Sequence, residues 1–94
     1  MKNLDDCRAA IDSIDNEIVQ LLNKRMKVVE RVGVIKHESG TAVYRPEREK
    51  AIIQRLAKLS EDTGGVLNKG AIEAIFLEIF AVSRNLELPE RIAY

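Results

Sequence analysis

Residues 4–38 read LDDCRAAIDSIDNEIVQLLNKRMKVVERVGVIKHE and set the architecture of the chain. Their apolar side chains recur in steps of three and four residues, which is the period of an α-helix, with one skipped position between Leu21 and Val28 that Arg25 occupies. These positions are Leu4, Cys7, Ile11, Ile14, Ile18, Leu21, Val28, Val32 and Ile35. At 1.5 Å per residue the helix would be roughly 50 Å long, whereas a typical helix has about 11–12 residues. A helix of this length predicts packing against something outside its own chain.

Two shorter helices are predicted on the C-terminal side of this segment, over residues 46–63 and 68–87. Pro46 suits the first helical position, where no N–H is needed, and Gly64 can take the left-handed conformation that ends a helix. Asn68 is a favourable N-cap. The sequence therefore predicts an all-α fold of three helices with one very long N-terminal helix.

The two short helices can cover only part of a 50 Å rod. A second copy of the same long helix would bury the part of its apolar stripe that the short helices cannot cover, so we predict an intertwined, two-fold homodimer. An ordinary three-helix bundle with a frayed end is the alternative.

Composition excludes several classes of protein. The 94 residues suffice for one small domain, and the 15 Lys and Arg balance the 15 Asp and Glu, which argues against a nucleic-acid binder. No apolar run is long enough to cross a membrane, and the start has no apolar signal core. The lone Cys7 fits a reducing cytoplasm, and one His with one Cys predicts no metal site.

Charged and polar side chains interrupt the apolar stripes of all three predicted helices. Arg8, Arg25 and Lys36 share one face of the first helix, because they fall in one series of three- and four-residue steps. The second helix carries Glu49 in the same way, and the third carries Ser83 and Glu87. Buried charges are costly unless they are paired or bind a ligand.

Two interpretations of these charges remain open from the residues alone. The charges could pair with one another, for example Arg25 with Glu49, and Arg8 and Glu87 could be solvated near helix ends. Alternatively they form a ligand site in which the cations outnumber the acids, which predicts a small anion with two carboxylates held by separate arginines. The cations are Arg8, Arg25, Lys36 and Arg48, and the acids are Glu49 and Glu87.

Distances along the first helix constrain how such a site is assembled. Arg25 and Lys36 are about 16 Å apart along the axis, so both can lean toward one ligand between them. Arg8 is about 25 Å from Arg25 on the other side and cannot reach that ligand within its own chain. In an antiparallel dimer the partner's Arg8 would lie opposite residues near 30.

Four segments together resemble the all-helical chorismate mutases. They are residues 8–15 (RAAIDSID), 21–25 (LLNKR), 32–36 (VGVIK) and 44–49 (YRPERE). The resemblance covers about residues 4–88. It implies a Claisen rearrangement of chorismate to prephenate in phenylalanine and tyrosine biosynthesis, with no cofactor, metal or covalent intermediate.

The resemblance also implies a role for each matched residue. Arg25 and the partner's Arg8 would hold the two substrate carboxylates, with Ser83 close to one of them. Lys36 would donate to the ether oxygen, and Glu87 would face that oxygen from the opposite side. The ring hydroxyl would donate to Glu49, with Arg48 nearby.

Three positions need separate comment. Arg45 stands where many family members have an acidic residue, so the role of its side chain stays open. Position 87 is Gln or Glu in the family, and here it is Glu. Gly33 permits close approach of two helices or leaves clearance for substrate.

The last residues, LPERIAY over 88–94, are similar to the linker and first strand of a prephenate dehydratase domain. We therefore expect a chorismate mutase domain over 1–88 and the start of a truncated second domain over 89–94, as in a bifunctional enzyme. A polar terminus is the alternative. Two other functions share the helical pattern, an isochorismate pyruvate lyase and a non-catalytic helical dimerisation or regulatory module.

Overall fold

The computed structural model describes residues 3–40 and 46–87, which form three α-helices and no strand in those ranges. They are α1 (Leu4–Ser39), α2 (Pro46–Asp62) and α3 (Lys69–Glu87). The predicted all-α fold is confirmed, with every helix end within one residue of its predicted position. Arg45 and the predicted second-domain start 89–94 lie outside the described residues.

Local capping explains where α1 begins and ends. The Asn3 side chain accepts a hydrogen bond of 2.9 Å from the Asp6 backbone N–H, and Asp5 and Asp6 place negative charge at the positive end of the helix. At the other end Gly40 has φ of 74°, a left-handed conformation that glycine adopts without strain.

The predicted boundary residues of α2 and α3 also act as expected. Pro46 is the first residue of α2, and Gly64 follows its end with φ of 70°. The side chain of Asn68 accepts a hydrogen bond of 2.9 Å from the Ala71 N–H and so caps α3. The connection between α2 and α3 is therefore short, and the two helices lie side by side.

The core of the chain is small and lies between α2 and α3. Ile52 and Ile53 of α2 pack with Phe80 of α3, and Leu56 and Phe76 border this cluster. The rings of Phe76 and Phe80 are tilted by 58° with centroids 5.9 Å apart, a favourable edge-on arrangement. Helix α3 also packs against α1 and is thus the central element.

Helix α1 leaves most of its apolar stripe uncovered within one chain. Seven of the nine residues in this stripe are between 46% and 62% exposed, and the only buried position of α1 is Gly33. These residues are Leu4, Ile11, Ile14, Ile18, Leu21, Val28 and Ile35. The described residues extend over 54 × 29 × 16 Å, as a single long helix dictates. None of the described helices is both long and apolar enough to cross a membrane.

Candidate functional site

The three helices line an open cavity of about 550 Å³ beside the C-terminal half of α1. Its floor is apolar and includes Val32, Ile52 and Phe80. Six of the seven side chains predicted for the site line it, two from each helix. They are Arg25 and Lys36 of α1, Arg48 and Glu49 of α2, and Ser83 and Glu87 of α3. The sequence pattern thus identified which polar residues converge.

Arg25 is held at the bottom of this cavity by two contacts with α3. Its Nη1 donates to Ser83 Oγ over 2.9 Å, and its guanidinium carbon lies 5.8 Å from the centre of the Phe80 ring. Burial lowers the pKa of Arg25 from its usual value, the neighbouring Arg48 lowers it further, and Glu87 opposes both effects. An anion bound beside Arg25 would offset the cost of holding this charge in the cavity.

Ser83 orients the arginine through a hydrogen bond of its own. The hydroxyl is buried and lies 2.8 Å from the Ile79 carbonyl oxygen and 3.6 Å from Met26 Sδ. The Ile79 carbonyl oxygen is the nearer and stronger acceptor, so the single hydroxyl proton is donated to it. The hydroxyl oxygen is then left to accept from Arg25, so the α3 backbone fixes the direction of the guanidinium.

Lys36 of α1 and Glu87 of α3 form an ion pair where the two helices pack together. Lys36 Nζ lies 3.4 Å from Glu87 Oε1, and the two side chains are only 20% and 11% exposed. Glu87 is therefore not a solvated helix end, which excludes that interpretation for this residue. The pair places an ammonium donor and a carboxyl group side by side on the lining of the cavity.

Glu49 pairs with Arg84 rather than with Arg25. Arg84 Nη1 lies 2.6 Å from Glu49 Oε2, so the suggested Arg25–Glu49 pair does not form. Arg84 was not predicted from the sequence, because it lies outside the series of three- and four-residue steps that contains Ser83 and Glu87. The available signal was spacing, since Arg84 is one helical turn after the buried Phe80 and must lie near α2.

The charge balance of the cavity favours an anionic ligand. Its two carboxylates, Glu49 and Glu87, each have a cationic partner. Three further cations line the wall, namely Lys24, Arg25 and Arg48, and none of them makes an ion pair with a described residue. Lys24 was not predicted from the sequence. An excess of guanidinium and ammonium groups around an apolar floor suits a small organic anion with carboxylate groups.

Arg8 is the one predicted site residue that lies away from this cavity. It occupies the second turn of α1, its side chain is 67% exposed, and its nearest acidic group is Asp5 Oδ1 at 4.0 Å. The expectation that Arg8 cannot reach the site of its own chain agrees with this position.

Comparison with known proteins relates this geometry to one family. The sequence profile described as chorismate mutase type II matches residues 7–88. The crystal structure of chorismate mutase from Helicobacter pylori in complex with prephenate is similar with a TM-score of 0.79 and 33% identity, covering 89% of this chain and 88% of that one.

Curated relatives carry related names. A bifunctional chorismate mutase/prephenate dehydratase from Aquifex aeolicus is 37% identical over 95 residues, which is 100% of this chain and 26% of the relative. An isochorismate pyruvate lyase from Pseudomonas aeruginosa is 36% identical over 85 residues, which is 84% of this chain and 81% of the relative. The chain spans about a quarter of the length of several bifunctional relatives that it matches. With most of its length matched by the profile and by the Helicobacter structure, this chain belongs to the chorismate mutase type II family.

Proposed function

We propose that this chain catalyses the rearrangement of chorismate to prephenate. The observation that carries the proposal is the convergence of Arg25, Lys36 and Arg48 on one apolar-floored cavity. The reaction breaks one ether C–O bond and forms one C–C bond within the same molecule, so atoms and electrons balance without a co-reactant. The protein needs only to hold the substrate in its reactive chair and to stabilise charge on the ether oxygen.

Each cavity residue has a role in this proposal that follows from its position. Arg25, aimed by Ser83, holds one carboxylate. Lys36 donates to the ether oxygen, where negative charge increases as the bond breaks, and Glu87 of α3 faces the same oxygen. The ring hydroxyl donates to Glu49, and Arg48 adds positive charge at the rim.

We also propose that the working form is a homodimer in which the partner's Arg8 completes the site. The uncovered apolar stripe of α1 supports a second copy of this chain as its occupant, because an antiparallel copy presents the same stripe over the same length. In such a pair each exposed Arg8 approaches the other chain's cavity and supplies a cation for the second carboxylate.

The longer bifunctional relatives support a further proposal about the surrounding protein. In them a segment like this chain is joined to a prephenate dehydratase, which uses the product of the mutase step. We propose that this chain is the mutase part of such an enzyme. The cytoplasmic location remains a prediction from the lone Cys7.

The lyase relative keeps a second candidate function open. An isochorismate pyruvate lyase would need nearly the same clamp for two carboxylates, and that relative matches this chain over most of both lengths. The lyase substrate carries its ring hydroxyl at a different position. The two functions would therefore differ in the contact between this hydroxyl and the carboxyl group of Glu49.

One pair of assays separates these possibilities. Purified protein is incubated with chorismate and with isochorismate, and loss of each substrate is followed by absorbance while products are identified by chromatography. Prephenate from chorismate is the expected result, and Arg25→Ala should abolish it. Pyruvate release from isochorismate alone would support the lyase, and inertness toward both substrates would support a non-catalytic dimerisation module.

A further inference from the structure

We infer that Arg84 is a positioning residue for the reaction, acting through Glu49. This inference rests on the proposed function, in which Glu49 receives the substrate's ring hydroxyl. Arg84 is not among the cavity-lining residues, whereas Glu49 is. The arginine therefore approaches the carboxylate from outside the cavity and leaves the substrate side free.

The contact is short and involves one defined oxygen. Arg84 Nη1 lies 2.6 Å from Glu49 Oε2, just shorter than the usual range of about 2.7–2.9 Å for charge-assisted N–H···O hydrogen bonds. The Glu49 side chain is only 19% exposed, which strengthens the interaction relative to one in open water. The other oxygen, Oε1, accepts no hydrogen bond from the described residues and is available to a ligand hydroxyl.

Arg25 and Arg48 compete with Arg84 for the Glu49 carboxylate, which explains why a partner outside the cavity matters. Glu49 shares the cavity with Arg25 and Arg48, either of which could attract a carboxylate that is free to rotate. If Glu49 paired with one of them, the site would lose a hydroxyl acceptor and a carboxylate-binding cation together. Arg84 holds Glu49 on the α3 side and so keeps both arginines available for the substrate.

A purely structural role would have different consequences. An ion pair between α2 and α3 could simply hold the two helices together, and its removal would then lower the free energy of unfolding while leaving kcat/KM of the folded protein unchanged. A positioning role predicts instead that folded protein loses kcat/KM, and that this loss depends on the Glu49 carboxylate. Double-mutant cycles separate the two cases.

The test compares kcat/KM for chorismate in wild type, Arg84→Met, Glu49→Gln and the double variant, with circular dichroism as the check of folding. We expect Arg84→Met to lower kcat/KM about 10-fold or more in the wild-type background. In the Glu49→Gln background the same change should cost less than about 2-fold, because the amide is not drawn to Arg25 or Arg48. Arg84→Lys keeps the charge without the planar fork and should recover part of the activity.

Lys58→Met is the matched control, because it removes the exposed Lys58–Asp62 ion pair of α2, away from the cavity. It should leave kcat/KM unchanged. Equal losses from Arg84→Met in both backgrounds, or no loss in either, would overturn the inference, and Arg84→Lys provides the same comparison if the methionine variant fails to fold. Absence of chorismate turnover in wild type would instead reject the proposed function.

Discussion

Gly33 of α1 lies directly against the backbone of Glu87 at the end of α3. A Cβ atom on residue 33 would sit 2.9 Å from the Glu87 Cα and 3.1 Å from its carbonyl oxygen, closer than real side chains approach. Close helix approach is thus the confirmed role of this glycine. The same contact brings Lys36, three residues later in α1, within reach of the Glu87 carboxylate.

Gly33→Ala should therefore impair the site although it adds only a methyl group. The α1–α3 crossing must widen, and overpacking of this kind costs about 1–3 kcal/mol, partly offset by the roughly 1 kcal/mol that alanine adds to a helix. We expect at least a 10-fold lower kcat/KM, since small displacements of catalytic groups are expensive. Gly70→Ala is the control, because a Cβ there meets only Asn68 Oδ1 at 3.5 Å. Equal activity and stability of the two variants would refute this account of Gly33.

Arg25→Met should lower kcat/KM strongly while changing the free energy of unfolding little. Loss of a buried charge partner for the substrate should lower kcat/KM by about 10²-fold or more. The free energy of unfolding should change by less than about 1 kcal/mol, because relief of the buried charge offsets the lost contacts with Ser83 and Phe80. Urea unfolding at fixed protein concentration measures the second quantity. A loss of several kcal/mol with substrate affinity intact would identify Arg25 as a structural residue.

Lys36→Ala should reduce turnover more than substrate affinity. The ammonium group matters most in the transition state, when the ether oxygen carries negative charge, and loss of one such donor typically costs about 10²–10³ in kcat. Steady-state kinetics with chorismate gives kcat and KM separately. A variant with normal kcat and only a higher KM would assign Lys36 to ground-state binding.

Sharing of Arg8 between chains predicts recovery of activity on mixing. Arg8→Ala and Lys36→Ala homodimers should each be nearly inactive. In a mixed dimer one site carries both changes and the other carries neither, so subunit exchange should restore up to about a quarter of the wild-type activity per chain for random pairing. Native mass spectrometry would establish that mixed dimers are present, and their inactivity would show that Arg8 does not act across the interface.

Glu87→Gln should change how activity depends on pH. The protonated carboxyl can donate to the ether oxygen, whereas the ionised form has no proton to donate and repels the developing charge. Wild-type turnover should therefore fall as pH rises. Glutamine keeps an N–H donor at every pH, which should flatten the kcat profile between about pH 5 and 9. Profiles that rise in parallel toward high pH would exclude Glu87 as the donor.

The fold and most of the cavity were predictable because they depend on periodicity. Steps of three and four residues place Arg25 and Lys36 on one face of α1, and Pro46, Gly64 and Asn68 act locally on the backbone. Which acid pairs with which base was not predictable, because it depends on how α2 and α3 are rotated against each other. Glu49 thus pairs with Arg84, a partner that a one-dimensional pattern does not reveal.

The small core between α2 and α3 has a consequence for behaviour on dilution. Among the described residues only Ile52, Ile53, Ile72 and Phe80 form buried apolar core, which is little to offset the chain entropy lost on folding. If a second copy supplies the missing burial, unfolding is a bimolecular equilibrium and the melting temperature rises with total protein concentration. At low concentration such a protein would lose helicity and association together, without passing through a folded single chain.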